Sequence, residues 1–235
     1  MPSKLLGWSD QGLAFDTAVH LGSLLAVVIY FQQDLARLIG AGSRQLRGES
    51  SDDGQFALNL LIASLPILPV GFSARFLVEG ELRSLEVIAA TTILFALALW
   101  YADRQQHKVS STLTPGRALL IGIAQCLALI PGTSRSGVTM TAALLIGFSR
   151  TEAARISFLI SIPTILGAAT LKLVDLAMDP VPTVWLDVTI GTLVAGISAY
   201  LCIKLLLSVI ERIGFLPFVI YRLILGMALI VIIAS

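Results

Sequence analysis

Gln125-Cys126-Leu127-Ala128-Leu129-Ile130-Pro131-Gly132-Thr133-Ser134-Arg135-Ser136-Gly137-Val138-Thr139 is the stretch on which the fold turns. It sets a Pro-Gly pair, several hydroxyl residues and one arginine between two apolar runs. Ala118–Ser134 is 17 residues without a charge, and Ser136–Ser149 is another 14. Each falls short of the roughly 20 residues of an ordinary spanning helix. Pro-Gly ends a helix, and Gly137 is expected to leave the turn at positive φ. The pattern predicts two half-helices that dip into the membrane and meet at a polar tip carrying Arg135. Irregular backbone at that depth survives only when buried in protein or lining a wet cavity. An arginine there costs at least about 2.5–3.5 kcal/mol to insert, so it calls for an anionic partner.

The rest of the chain fits a membrane setting. Of its 235 residues 56% are hydrophobic and 13% charged, and the mean hydropathy is +0.89. Soluble domains carry about a quarter charged residues. Half that, gathered in blocks, predicts an all-α polytopic membrane protein forming a single integral domain. A net charge of +1 argues against a nucleic-acid partner. Cys126 and Cys202 both sit inside apolar runs and read as packing residues rather than a disulfide. Met1–Gly12 carries Lys4 and Asp10 and lacks the apolar core of a signal peptide.

Six spans are expected: Thr17–Gln33, Ala57–Ala74, Ser84–Tyr101, Ile156–Leu171, Val184–Ile203 and Ile213–Ser235. Asp16 and His20 stand near the start of the first, and a hydrophilic loop is expected over Ser43–Gln55. Pro66 and Pro69 fall in the second span, where neighbouring helices accommodate kinks. A hairpin that returns to its side of entry fixes the parity. One face then gathers ten basic residues, including Arg37, Arg44, Arg47, Arg117, Arg150 and Arg155; the other gathers Lys4, Arg75, Arg83 and Lys172. The richer face is expected in the cytoplasm, with the carboxyl terminus and the hairpin's tip toward the opposite side.

Leu6-Gly7-Trp8-Ser9-Asp10-Gln11-Gly12-Leu13-Ala14 matches Ile146-Gly147-Phe148-Ser149-Arg150-Thr151-Glu152-Ala153-Ala154 at an offset of 140 residues. An aliphatic residue, Gly, an aromatic, Ser and a later Ala recur in register. Three spans follow each copy, which predicts an inverted repeat, about 1–101 and 116–235. The second copy follows the hairpin, whereas only five residues precede the first. The chain is therefore expected to lack roughly 30 N-terminal residues that would form a second, facing hairpin, through either a misplaced start or a genuine truncation.

Chemically, the tip resembles an anion cradle. Helix N-terminal N–H groups and the helix dipole favour phosphate, and Arg135 adds a bidentate fork. Thr133, Ser134, Ser136 and Thr139 supply further donors, and a serine there is a nucleophile if a base lies nearby. No good base is visible in the sequence. His107 falls in a loop, His20 reads as a packing or interfacial residue and Asp16 as interfacial. No His/Cys/Asp/Glu cluster has metal-ligand spacing. An ordinary interhelical loop with an exposed arginine is the plainer reading of the same residues.

Pro131-Gly132-Thr133-Ser134-Arg135-Ser136-Gly137, with Gln125-Cys126-Leu127-Ala128-Leu129 before it and Thr139 after, resembles the signature of the undecaprenyl-diphosphate phosphatase family of the bacitracin-resistance type. Phe15–Val27, Ser157–Pro163 and Phe215–Arg222 resemble it too, so the likeness covers nearly the whole chain. The resemblance implies a multi-pass enzyme of the bacterial inner membrane with its site facing the outer side. It would hydrolyse undecaprenyl diphosphate to undecaprenyl phosphate, a polyprenyl lipid substrate recycled for cell-wall synthesis. It implies catalytic roles for Arg135, Ser134 and Ser136, and substrate binding by Gln125, Gly132, Thr133, Gly137 and Thr139. It also implies a divalent cation, Mg2+ or Ca2+; the metal ligands are unknown, and a homodimer is left open.

The family's second motif, an acidic pair followed by Pro, two serines and a histidine, is absent; the repeat places it before Met1. Weak or no activity is therefore expected of this exact chain. Two other readings stay open: a lipid or anion transporter or flippase built on the same broken-helix repeat, and a catalytically dead scaffold.

Overall fold

In the computed structural model of the protein, residues 12–79, 82, 84–105, 112–178 and 185–234 are described. Their regular structure is helical throughout: α1 (Gly12–Tyr30), α2 (Gln32–Leu46), α3 (Asp52–Ser64), α4 (Ile67–Glu79), α5 (Leu85–Arg104), α6 (Pro115–Cys126), α7 (Arg135–Leu145), α8 (Arg150–Met178), α9 (Trp185–Ile213) and α10 (Leu216–Ala234). Asp52–Ala74, Leu85–Arg104, Arg150–Leu171, Trp185–Ile213 and Leu216–Ala234 are long and apolar enough to cross a membrane. The broken pair Thr17–Tyr30 and Gln32–Leu46 supplies a sixth candidate. The five match the last five expected spans, and the first is met only if the pair, bent by 80°, counts as one span. His107, the side chain of Asp16 and residues 6–11 of the first repeat copy lie outside the described residues.

One expectation is corrected. Ser43–Gln55 is not a single loop, because α2 runs on to Leu46 and α3 begins at Asp52. The segment is polar but rich in helix formers. Ser51 caps α3, its Oγ accepting from the Gly54 N–H at 3.1 Å, and Asp52 and Asp53 sit where the helix dipole favours them. Polarity here marks a solvated helix face. The interruption at Pro66, between α3 and α4, is the expected proline effect.

The described chain gathers into two compact units, Met1–Gln32 with Ile162–Lys204 and Gln33–Ser161 with Leu205–Ser235. In the first unit α1 lies close on α9. A Cβ added at Gly22 would stand 2.3 Å from the Thr192 carbonyl oxygen, so glycine permits the contact. Tyr30 meets Tyr200 edge-on with centroids 5.7 Å apart. Beside this seam runs an apolar groove of about 410 Å³ lined by Leu25, Ile29, Leu193, Ile197 and Tyr200.

The second unit holds the hairpin and its supports. Ile88 and Ala89 of α5 pack with Leu229 of α10, and a Cβ at Gly226 would come 2.4 Å from Ile93 Cγ1. Asp103, at the end of α5, accepts from Arg150 Nε at 2.6 Å and Nη2 at 3.1 Å, and from the Phe215 N–H at 3.2 Å. One carboxylate thus joins the ends of three helices. Gly214, at φ +67°, leaves it room: a Cβ there would lie 2.6 Å from Asp103 Oδ2. Arg155 makes a forked pair with Asp34, at 2.8 and 3.2 Å. Elsewhere the helices expose rows of large apolar side chains, among them Leu193, Ile197, Leu201, Ile224 and Val231. Such rows suit lipid, not water.

Candidate active site

The hairpin begins at Thr114, whose hydroxyl accepts from the Arg117 N–H, with Pro115 at the first helical position. Helix α6 packs on α3 through Gly122, where a Cβ would stand 2.6 Å from the Ala63 carbonyl oxygen. Gln125 is fully buried and donates to the same carbonyl at 3.4 Å. A short 3-10 turn, Leu127–Leu129, carries the chain to Pro131, and α7 then returns along α6. The predicted break is therefore present.

Positive φ falls on Gly132 (89°) and Ser134 (67°), whereas Gly137 lies inside α7. The expectation for Gly137 is thus corrected: the turn is made before α7 begins. Glycine at 137 serves space instead, since a Cβ there would sit 3.0 Å from Arg222 Nη1. Ser134 is the exceptional residue, because a side chain at positive φ costs on the order of 1–3 kcal/mol and such strain gathers at functional sites. Its Oγ caps α7 by accepting from the Gly137 N–H at 3.3 Å, and lies 3.4 Å from Ser136 Oγ.

Three helices hold the tip. From α5, Thr91 Oγ1 donates to the Pro131 carbonyl at 2.6 Å and Thr92 Oγ1 to that of Gly132 at 3.3 Å. From α8, Ser157 meets Thr139 Oγ1 at 2.7 Å. Thr139 Oγ1 also reaches the carbonyls of Arg135 and Ser136, at 3.0 and 3.1 Å. From α10, Arg222 donates to the Thr133 carbonyl at 2.9 Å, to Gly132 at 2.7 Å and to Thr92 at 3.2 Å. Arg222 is 3% exposed. Each charge-assisted bond is worth about 1.5–3 kcal/mol, enough together to hold the strained turn.

The predicted residues therefore sort by environment. Ser134, Arg135 and Ser136 are partly exposed at the start of α7, and Gly132 abuts them. Thr133 and Thr139 are buried, as is Gln125 on the opposite flank of α6. Thr133 Oγ1, Arg135 Nη1 and Arg222 Nε are buried without a hydrogen-bond partner among the described residues. Arg135 and the α7 dipole make the tip positive and rich in donors, with no described carboxylate bonded to Arg135. An arrangement of that kind is completed by an anion. Arg222 escaped the sequence reading as a site residue, although a lone charge within an apolar span is itself a signal.

Among the described residues no three His, Cys, Asp or Glu side chains come together as a metal site. The tip offers hydroxyl and carbonyl oxygens only, so the described residues do not by themselves fit a divalent cation.

Fold and site together define an all-α polytopic membrane protein with a broken helical hairpin. The chain matches the family model described as bacitracin resistance protein BacA over residues 1–228, and it belongs to that family. It is 50% identical over 235 residues to a protein of Chromohalobacter salexigens named undecaprenyl-diphosphatase, a match covering 98% of this chain and 88% of that protein.

Proposed function

We propose that this chain hydrolyses undecaprenyl diphosphate to undecaprenyl phosphate and inorganic phosphate, returning the lipid carrier to cell-wall synthesis and conferring bacitracin resistance. The observation that carries the reading is Arg135 beside the N-terminus of α7, its buried Nη1 without a partner among the described residues, in a chain half identical to a named undecaprenyl-diphosphatase. In the reaction, water's oxygen becomes bonded to the terminal phosphorus while the bond from that phosphorus to the bridging oxygen breaks. The bridging oxygen leaves with its electron pair on the lipid monophosphate. Negative charge grows on both sides of that bond, where Arg135 and the first N–H groups of α7 stabilise it. One proton of the water stays on the released phosphate and the other passes to solvent, while Ser134 and Ser136 donate hydrogen bonds to the terminal phosphate. Gly132 and Gly137 leave room for α5 and for Arg222, while Thr133, Thr139 and Gln125 hold the shape of the hairpin.

The hairpin is re-entrant in this reading, and its tip faces the outer side of a bacterial inner membrane. Phosphate release from farnesyl or undecaprenyl diphosphate in detergent tests the reading, with the chain both as given and extended in frame by its upstream codons. Release is expected, faster in the extended form. No release from either form overturns the phosphatase and favours a flippase or a scaffold. EDTA is expected to stop the reaction, and Mg2+ or Ca2+ to restore it. Light scattering on the same preparation reads a homodimer.

A further inference from the structure

The tip's backbone is held by Arg222 of α10, whose fork is spent on backbone carbonyls. In a planar trans peptide the C=O and the following N–H point in opposite directions. Arg222 Nη1 takes the Thr133 carbonyl at 2.9 Å and Nη2 that of Gly132 at 2.7 Å. The Ser134 N–H, in the same peptide unit as the Thr133 carbonyl, is thereby aimed away from Arg222. It finds no acceptor among the described residues; neither do the N–H groups of Arg135 and Ser136, the first two of α7. Gly137 and Val138 spend theirs on Ser134 Oγ and the Ser134 carbonyl. If the Thr133–Ser134 peptide were flipped, a carbonyl oxygen would face the phosphate and repel it. The guanidinium also spans to the Thr92 carbonyl on α5, which fixes its own plane.

We propose that Arg222 is a positioning residue of the phosphatase: by holding the Thr133 carbonyl it turns the Ser134 N–H toward the terminal phosphate, beside the unspent Arg135 and Ser136 N–H groups at the start of α7. The proposal rests on the phosphatase reading. Its chemistry requires a planar, multi-donor cation at position 222, because an ammonium lacks the fork that holds two adjacent carbonyls and a third on α5.

The test uses Arg222→Lys and Arg222→Gly in the form of the protein that is active, with kcat, KM and thermal unfolding measured in detergent. Arg222→Lys is expected to lose 30-fold or more in kcat with KM changed less than 3-fold and a near-normal unfolding midpoint. Arg222→Gly is expected to be slower still and to regain at least 5-fold when guanidinium is added at tens of millimolar, a rescue that ammonium does not give. Rates within 3-fold of the unmodified protein in Arg222→Lys overturn the proposal. So do an effect confined to KM, which would mean direct contact with substrate, and a kcat loss that guanidinium does not relieve. A protein whose unmodified and extended forms both release no phosphate overturns the phosphatase reading and this role with it.

Discussion

Ser134 holds a backbone angle that glycine adopts freely and serine does not, and it does so at the cap of α7. Two contributions can therefore be separated by substitution. Ser134→Ala loses the cap and keeps the strain, so it should lower stability by about 1 kcal/mol. Ser134→Gly relieves the strain and forfeits only a few tenths of the cap, so it should unfold at a higher temperature than Ser134→Ala. Equal midpoints in detergent would count against strain at this residue. Arg135→Ala should lower the phosphatase rate by about 10²–10³-fold without unfolding the protein, the usual cost of a lost charge-stabilising donor. Arg135→Lys should be nearly as slow, because an ammonium has no fork; a near-normal rate in either would remove Arg135 from the site. Arg135 was legible in sequence because it breaks an uncharged run. Arg222 breaks one as plainly, but its partners are backbone carbonyls some 90 positions away, which no local pattern records.

The hairpin itself was legible as an element. Two apolar runs too short to span, joined by Pro-Gly, left few other solutions, and α6 and α7 follow them closely. What the sequence could not supply was which helices brace the tip, since Thr91, Thr92 and Ser157 look like ordinary small polar residues within apolar spans. The extension of α2 and the early start of α3 rest on single residues that average polarity hides: Arg44, Gln45 and Leu46 favour helix, and Ser51 caps the next one. Bracing by close approach gives a sharp prediction. A Cβ at Gly132 would lie 2.3 Å from Thr91 Oγ1 and 2.5 Å from the Ile88 carbonyl oxygen, at φ +89°. Gly132→Ala should push the tip off α5 and lose activity by more than 10-fold, and phosphate release measures it. Gly214→Ala, crowding Asp103 and Arg150, should instead cost on the order of 1–3 kcal/mol of stability. A shift in unfolding temperature measures that, and an unchanged midpoint would argue against the three-helix clamp.

Over the whole molecule, hydropathy delivered the spans because lipid imposes length and polarity directly on each helix. The pairings between helices were not legible, since they depend on glycine gaps and on ion pairs such as Asp34 with Arg155, separated by 121 positions. Basic-residue asymmetry predicts that a cysteine placed at Gly48, between α2 and α3, reacts with impermeant maleimide only after the inner face is exposed. The free thiols Cys126 and Cys202 must first be replaced. Labelling of Gly48→Cys in intact cells would reverse the proposed orientation.

The order of synthesis gives Arg222 a further meaning. Its partner carbonyl at Thr133 leaves the ribosome 89 residues earlier, which at bacterial elongation rates is roughly 5–20 s. During that interval the nascent chain carries its arginine fork on an unbraced turn. Competence to act on a diphosphate would then arrive with the final helix, so that a polypeptide stalled or clipped before α10 stays chemically silent.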